Sequence, residues 1–440
     1  MRIRWRLPHL FSACVVLGQL LSISPLVDVV AGAPPSDVHV AYPFGHVLLA
    51  PLTLLADWLN GSPARELKGF VVWLAVAFTF ARLTRHGGRA TRGDRPSGWS
   101  LARREAGAAL LGVGALALYV AWGALAPRPI PSLTSADPDL LVFDVHSHTA
   151  ASHDGRAGFD AEANAAWHAR AGFDAAFVTD HNTARAIRTA LAEPPRAASV
   201  PLPGIELSLS GLHLLALGTS AEIPNAAYRD SWEETGRLVR ALASGQPPDG
   251  GTPPPDTTGP PSAPDRRAPG APPFLVASLP EYWRHHWGPD IGTLVRWGVR
   301  GFEIWTSSPR AMDFPERLRY EVITRCRLDG LAMFAATDMH GFGYSATAWN
   351  VTRIAGWRWL GAGELSAVLV AKFRREGPDA NRVVVLRRWI PETPVLVVVA
   401  VPLNVMLILR TTSPAHAASL LAWIWVVALL SGLRRRPRRS

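Results

Sequence analysis

Two kinds of hydrophobic patterning divide the chain. Long apolar runs crowd residues 10–126 and 394–433, whereas 140–390 mixes apolar and polar positions as an ordinary soluble domain does. A membrane-crossing helix needs about 20 mostly apolar residues, because roughly 30 Å of hydrocarbon is covered at about 1.5 Å per residue. Residues 10–31, 69–83, 110–126, 395–409 and 417–430 meet or approach that length. Residues 40–59 are a weaker candidate, interrupted by Pro43, Pro51 and Asp57, and read as re-entrant or interfacial. The first run follows Arg2, Arg4 and Arg6 like a signal peptide, but Pro25 and Asp28 leave no clear small-residue cleavage site, which favours an uncleaved span. The expected organisation is three or four spans in 1–126, a Pro-rich tether in 127–139, a folded domain in 140–390, and a two-span hairpin with a basic tail in 391–440. An integral membrane protein follows, with the lipid bilayer as one partner.

From Leu140 to Arg375 the pattern becomes a short β-rich run, a polar or histidine-bearing end, then a helix-like stretch. The runs are 141–145, 175–179, 202–207, 212–217, 274–278, 301–305 and 331–336. Seven such units predict an α/β domain built as a (β/α)7 barrel of parallel strands, flanked by transmembrane helices. Residues 160–171 predict a crossover helix, opened by the acidic cap Asp160 and closed before Gly172. Residues 246–273, rich in Pro, Gly, Asp and Thr and without apolar period, predict a flexible, disordered insertion.

Charge changes this picture in one respect. A formal +10 with a pI near 10.4 could suggest nucleic acid, but the arginines cluster beside apolar segments, in 82–104 and 434–439, where they more often set membrane orientation. The clusters conflict. Arg82 to Arg104 inside would send the domain outward, whereas Arg387, Arg388 and the tail, flanking a two-span hairpin, would keep it cytoplasmic. The side of the domain is therefore open at this level. Cys14 and Cys326 lie far apart, which excludes a disulfide framework.

Candidate chemistry gathers at the ends of the runs. His146-Ser147-His148, Asp154 in Ser152-His153-Asp154-Gly155, Asp180-His181, Glu206, His213, and Asp338-Met339-His340 all stand at or near a strand end. In a β/α barrel those ends share one face, so residues almost 200 positions apart would meet in one pocket. Imidazole and carboxylate are the ligands that divalent metals select. One histidine alone is usually a satisfied core or surface group; the joint pattern predicts a metal site. His153 and His168 read as non-ligands, the latter inside the crossover helix.

As a set, and in order and spacing, Phe143-Asp144-Val145-His146-Ser147-His148-Thr149, Ser152-His153-Asp154-Gly155, Thr179-Asp180-His181-Asn182, Gly204-Ile205-Glu206 and Thr337-Asp338-Met339-His340 resemble the signature of the PHP (polymerase and histidinol phosphatase) family over about 143–340. The resemblance implies a distorted seven-unit barrel and two or three divalent ions (Zn, Mn or Fe) that hydrolyse phosphate esters. It further implies that His146, His148, Glu206 and Asp338 hold one metal, Glu206 and His213 a second, and Asp154, His181 and His340 a third. Asp338 and His181 are the candidate catalytic residues, with metal-bound hydroxide as nucleophile. One departure stands out. The family usually carries a histidine before the proline ending strand five, where this chain has Ala277-Ser278-Leu279-Pro280. Either His285 or His286 reaches back, or the second metal is weakly held or absent; by itself the pair, beside Trp283 and Trp287, reads as a loop surface.

Arg156, Arg185 and Arg310, in loops after strands one, two and six, are candidate phosphate-binding groups. The expected function is a membrane-tethered phosphoesterase, a phosphatase or 5′–3′ exonuclease, acting on a phosphate monoester, a nucleotide or an oligonucleotide 5′ end. The alternatives are a carbamate, ester or amide hydrolase on the same fold, whose pocket would show Trp283, Trp287 and Trp305, or a non-catalytic metal-stabilised sensor. No sequence feature points to a protein partner.

Overall fold

The computed structural model describes residues 2–62, 64–90, 98–246, 272–282, 289–309, 311–343 and 345–433. It divides into two compact units: residues 1–25, 42–130 and 387–440 form the first, residues 26–41 and 131–386 the second.

The first unit is helical: α1 (Arg2–Leu20), α2 (Phe44–Leu48), α3 (Ala50–Asn60), α4 (Ala64–Ala90) and α5 (Gly98–Leu125), then two more after the second unit. The expected span over 10–31 takes another form. Its helix stops at Leu20, and past Pro25 the chain becomes a strand, β1 (Leu26–Asp28), that belongs to the second unit. Proline cannot continue a helix, and the Asp28 carboxylate accepts from the backbone N–H groups of Val30 and Ala31 to turn the chain. The expected tether also contains structure, for β2 (His39–Ala41) pairs antiparallel with β3 (Ser132–Thr134).

The second unit continues with β4 (Leu140–Ser147), α6 (Ala161–Ala171), β5 (Ala175–Val178), α7 (Arg185–Ala192), β6 (Val200–Leu209), β7 (Leu212–Leu217) and α8 (Trp232–Ser244). Next come β8 (Phe274–Ser278), α9 (Leu279–Tyr282), α10 (Ile291–Trp297), β9 (Gly301–Thr306), α11 (Glu316–Asp329) and β10 (Ala332–Ala336). Last are β11 (Ala348–Arg353), α12 (Ala362–Glu376) and β12 (Arg382–Leu386), after which the first unit resumes with α13 (Val397–Thr411) and α14 (Pro414–Leu433). Residues 247–271, most of the expected insertion, lie outside the described residues.

All seven expected strands are present, but the barrel of parallel strands is replaced by a curled ten-stranded half-barrel sheet in the order β1-β12-β11-β4-β5-β6-β7-β8-β9-β10. The main difference is β7, which runs antiparallel to both β6 and β8. Only Ser210 and Gly211 separate β6 from β7, whereas a parallel crossover needs a dozen or more residues. Gly211, at φ 61°, supplies the left-handed turn. The unexpected strands β11, β12 and β1 extend the sheet through antiparallel pairs.

Every residue of β4 is buried, the mark of a strand covered on both faces. Phe143, Phe274 and Phe334 pack with Phe373 of α12, their rings 4.9–5.6 Å from that of Phe373, and anchor the core under the sheet. The crossover helix α6 is capped as its sequence dictates: Asp160 accepts from the Ala163 N–H, and Gly172 ends the helix in the left-handed region. Past their last residues, β4 and β10 approach each other, with the Asp338 N–H donating to the His146 carbonyl and the His148 N–H to the Met339 carbonyl, each near 2.9 Å. That closure brings the two dipeptide motifs side by side.

Candidate metal centre

Where β4 and β10 meet, the site builds from short local devices. Asp144, buried in β4, accepts from the Thr337 N–H at 3.1 Å and the Thr337 hydroxyl, tying the two strands before the ligand-bearing segments begin. His168 Nε2 lies 3.0 Å from Asp144 Oδ2, the oxygen that also accepts from the Thr337 hydroxyl, and acts there as a brace within the fold. The next turn, Ser152-His153-Asp154-Gly155, passes so close to the Thr149 carbonyl that a Cβ on Gly155 would lie 1.9 Å from its oxygen. Only glycine fits, and the turn swings Asp154 toward the mouth. Asp338 sits at φ 51° and Asn182 at φ 55°, among the described residues the only non-glycine positions with positive φ, and both flank the site.

These devices bring together the candidate residues. His146 Nε2 lies 3.1 Å from Glu206 Oε2 and 3.7 Å from Asp338 Oδ1, and His148 Nε2 lies 3.2 and 3.3 Å from the same two oxygens. Glu206 also meets His181 Nδ1 at 3.1 Å and His213 Nδ1 at 2.5 Å. On the far side of the histidines, Asp154 meets His340 Nε2 at 3.2 Å and His181 Nε2 at 3.6 Å. Ligand-forming atoms group as His146, His148 and Asp338; as His181, Glu206 and His213; as His148, His181 and His340; and as His153, Asp154 and His181. His153, read from sequence as a non-ligand, therefore borders the site. His213 is the second residue of β7, so it reaches this mouth because that strand is reversed and begins where its neighbours end.

Outward-facing nitrogens fix the tautomers. The Ser152 hydroxyl donates its one hydrogen to Asp180 at 2.9 Å, so at 3.0 Å from His148 Nδ1 it must accept, and His148 carries its hydrogen on Nδ1. His340 Nδ1 lies 2.8 Å from the Asp338 carbonyl, which can only accept. His146 Nδ1 lies 2.7 Å from Glu303, itself held by the Ser278 hydroxyl at 2.6 Å. All three imidazoles thus turn Nε2 inward toward carboxylate oxygens, where the neutral form presents a lone pair. His146 Nε2, His148 Nε2, His340 Nε2, Asp154 Oδ1 and both Glu206 oxygens are buried without a hydrogen-bond partner. Buried polar atoms are seldom left so.

Electrostatics agree with a site built for positive charge. Burial, then the neighbouring His340, pushes His148 down to about 3, so it is a neutral donor. Burial would depress His146 and His340 too, but carboxylates outweigh it: Glu206 and Glu303 raise His146, and Asp338 and Asp154 raise His340 to about 9. Burial would raise Glu206, yet the surrounding imidazoles hold it well below the usual carboxylate range. Either protons or metal cations must supply the charge that these carboxylates demand, and the fixed tautomers fit the metal: the donor set of imidazole nitrogens and carboxylate oxygens suits a borderline divalent ion.

Glu303 escaped the sequence reading. Its signal was a single carboxylate in the otherwise apolar run Gly301-Phe302-Glu303-Ile304, a charge that must be paired if the strand is buried. Its partner Ser278 stands two residues before Pro280, in the segment where a histidine was expected. Of the arginines, Arg156 donates from its backbone N–H to the His340 carbonyl and from Nη1 to the Gly341 carbonyl at 3.2 Å, which sets it beside the mouth. Arg185 lines a groove with Thr149, Asp160 and Glu162. Trp305 is buried under the Arg319 guanidinium, 4.2 Å above its ring. Trp283, His285, His286, Trp287 and Arg310 lie outside the described residues.

Removing the Ser152 hydroxyl frees the His148 tautomer and takes one bond from Asp180, but removes none of the candidate ligands. Ser152→Ala is expected to weaken metal affinity by about 10- to 100-fold while leaving the fold intact. A competitive chelator titration beside a circular dichroism spectrum checks both halves.

No family model and no curated protein sequence matches the chain. Among solved structures, PsfC from Pseudomonas syringae aligns over 61% of this chain and 99% of its own, at 17% identity and a TM-score of 0.37. A protein of Bifidobacterium adolescentis, assigned as a metal-dependent phosphoesterase, aligns over 46% of this chain and 88% of its own, at 14% identity and 0.30. An amidohydrolase of Chromobacterium violaceum, with sulfate and no metal bound, aligns over 45% and 87%, at 16% identity and 0.27. All three likenesses are remote, and the functional reading rests on the geometry of the site.

Proposed function

We propose that the chain is a membrane-anchored, metal-dependent hydrolase acting on phosphoesters: a phosphate monoester, a nucleotide or an oligonucleotide 5′ end. One observation carries the reading: imidazole Nε2 atoms, turned inward by their Nδ1 partners, face buried carboxylate oxygens across 3.1–3.7 Å. Cations between them would satisfy both sides. His146, His148, Glu206 and Asp338 would hold one ion, Glu206 and His213 a second, and Asp154, His181 and His340 a third. Bound divalent cations would supply Lewis-acid activation of a water nucleophile and neutralise charge developing on the leaving oxygen.

The remaining chemistry belongs to the chain. His146, His148 and Glu206 form a closed wall, at most 1% exposed, whereas Asp154, Asp338 and His340 keep 12–25% of their side chains exposed. Substrate therefore approaches over Asp154, Asp338 and His340, and Arg156 flanks that opening with the charge a phosphate would meet. Asp338 and His181, which border the cluster, would be the groups that exchange protons with water and leaving group. The fold reading that accompanies this function is a distorted seven-strand barrel of the PHP kind, with β4 to β10 as its strands and β7 reversed. Membrane anchoring rests on two helical stretches, Ala102–Leu125 and Pro414–Ser431, which among the described residues are long and apolar enough to span.

The purified full chain, given Mn²⁺ or Zn²⁺, is expected to hydrolyse a generic aryl phosphate, and His148→Ala is expected to abolish that turnover. Turnover on carbamates or amides but not phosphates would shift the substrate class. Tight metal binding without turnover on any ester would favour a metal-stabilised sensor.

A further inference from the structure

Among the described residues, all but four of the large apolar side chains that remain exposed belong to the first unit, the exceptions being Tyr320, Leu328, Trp359 and Val368. In α4 the ten residues 71–80 are exposed without a break, and nine of them are apolar. A helix that shows apolar side chains on every face has hydrocarbon as its natural surroundings. At about 1.5 Å per residue, α5 covers roughly 40 Å and α14 roughly 30 Å, each with a span-length apolar stretch, while the 27-residue α4 covers roughly 40 Å and the 19-residue α1 roughly 30 Å, with Leu7–Leu20 as the apolar part of α1. The 15-residue α13, with Pro402 inside it, covers only about 22 Å.

Contacts within the unit fix the directions of these helices. His9 of α1 packs on Trp425 of α14, while Gln19 donates to the Leu409 and Thr412 carbonyls just before α14 begins, so α1 and α14 are antiparallel. Arg82 near the end of α4 pairs with Glu105 near the start of α5 at 2.7 Å, so these too are antiparallel. The two pairs are in register. Arg128, just past α5, pairs with Asp57; the other Asp57 oxygen meets His46 at 2.8 Å; and His46 meets His416 at the start of α14 at 2.9 Å. Hence the end of α1, the start of α4, the end of α5 and the start of α14 share one end of the unit.

The segment carrying α13 leaves and returns at that same end. Arg388 pairs with Glu66 at the start of α4 at 2.9 Å, the Arg387 N–H donates to the Pro25 carbonyl, and Arg410 donates to the Leu21 carbonyl at 2.8 Å. So α13 is re-entrant, and the expected two-span hairpin becomes one span. The opposite end then holds the start of α1 with Arg2, Arg4 and Arg6, the end of α4 with Arg82, Arg85 and Arg89, the start of α5 with Arg103 and Arg104, and the end of α14; in the sequence, Arg92 and Arg95 join α4 to α5, and Arg434, Arg435, Arg436, Arg438 and Arg439 follow α14. The shared polar end holds Arg65, Lys68, Arg128, Arg387, Arg388 and Arg410, of which Arg128 and Arg388 are held by carboxylates. The orientation conflict read from sequence disappears once α13 does not cross.

We infer that α1, α4, α5 and α14 cross the bilayer with their arginine-rich ends in the cytoplasm, and that the hydrolase unit, entered after α5 and left before α13, works on the extracytoplasmic side. Excess lysine and arginine in the flanks of spans stays cytoplasmic. The inference rests on the membrane part of the proposed function and deepens it: the phosphoester is one that exists outside the cytoplasm.

Cysteines added one at a time to the full chain, expressed in bacterial cells, test this with a membrane-impermeant maleimide. Trp359→Cys, at a side chain 91% exposed in the second unit, is expected to label in intact cells, with Leu328→Cys as a second reporter. Thr91→Cys, between α4 and α5, is expected to label only after permeabilisation. Cys14 and Cys326 of the parent chain set the background. The reverse pattern, or labelling of both positions in intact cells, overturns the sidedness. Alkaline carbonate extraction separates the premises: release of the chain from membranes would overturn the anchoring itself, whereas retention with reversed labelling would overturn only the orientation, and neither readout depends on hydrolysis.

Discussion

Glu206→Gln is expected to strip the centre of its cations and lower turnover by about a thousandfold, equivalent to about 4 kcal/mol of transition-state stabilisation. The Glu206 carboxylate is fully buried and touches four imidazoles, those of His146, His148, His181 and His213, at 2.5–3.2 Å. No other side chain in the cluster joins as many, so it is the group two neighbouring ions would share. The amide keeps the shape, removes the charge, and turns an N–H toward nitrogens that already face inward. Metal content and kcat/KM of the purified variant check this. Retained metal with turnover within about tenfold of the parent would show that Glu206 serves only to pair imidazolium groups.

Chelation is expected to lower the melting temperature of the full chain by about 10 °C at pH 8–9, and by clearly less at pH 6. A ligand at about 1,000 times its Kd stabilises by about 4 kcal/mol. In a domain of this size each kcal/mol is worth roughly 2–4 °C. The sign with pH follows from His340, held up to about 9 against an ordinary 6.5. A proton bound more tightly in the folded state stabilises the metal-free fold fully below pH 6.5, and that contribution is lost as pH rises through 9. Metal competes with the same proton for Nε2, so its own contribution grows over the same window. Thermal melts with and without chelator at pH 6, 7.5 and 9 measure the gap. A gap that narrows as pH rises would contradict the assignment of His340 as a ligand.

The histidines and carboxylates were legible because the chemistry needs particular residue types at strand ends, and such types stand out against an apolar run. Asp154 was legible for a further reason, since Gly155 after it marks a turn no other residue could make. What the sequence hid was direction. Strand β7 carries the same apolar pattern whether parallel or antiparallel, and only the two-residue link Ser210-Gly211 distinguishes them. Leu26 to Asp28 hid in the same way, since an apolar run after a helix reads as more of that helix until Pro25 is given its weight. Glu303 was hidden by its surroundings, a lone acid whose partner, His146, lies 157 positions away. The place of α13 beside the start of α4 depends on Arg388 meeting Glu66, a pairing that no local pattern announces.

Anomalous diffraction at the absorption edge of the bound metal is the most direct test of the centre. Peaks are expected beside Glu206, within coordination distance of His148 Nε2 and Asp338. An ordered site without such density, even after crystals are soaked in Mn²⁺ or Zn²⁺, would contradict the account and leave the cluster as an imidazolium–carboxylate network.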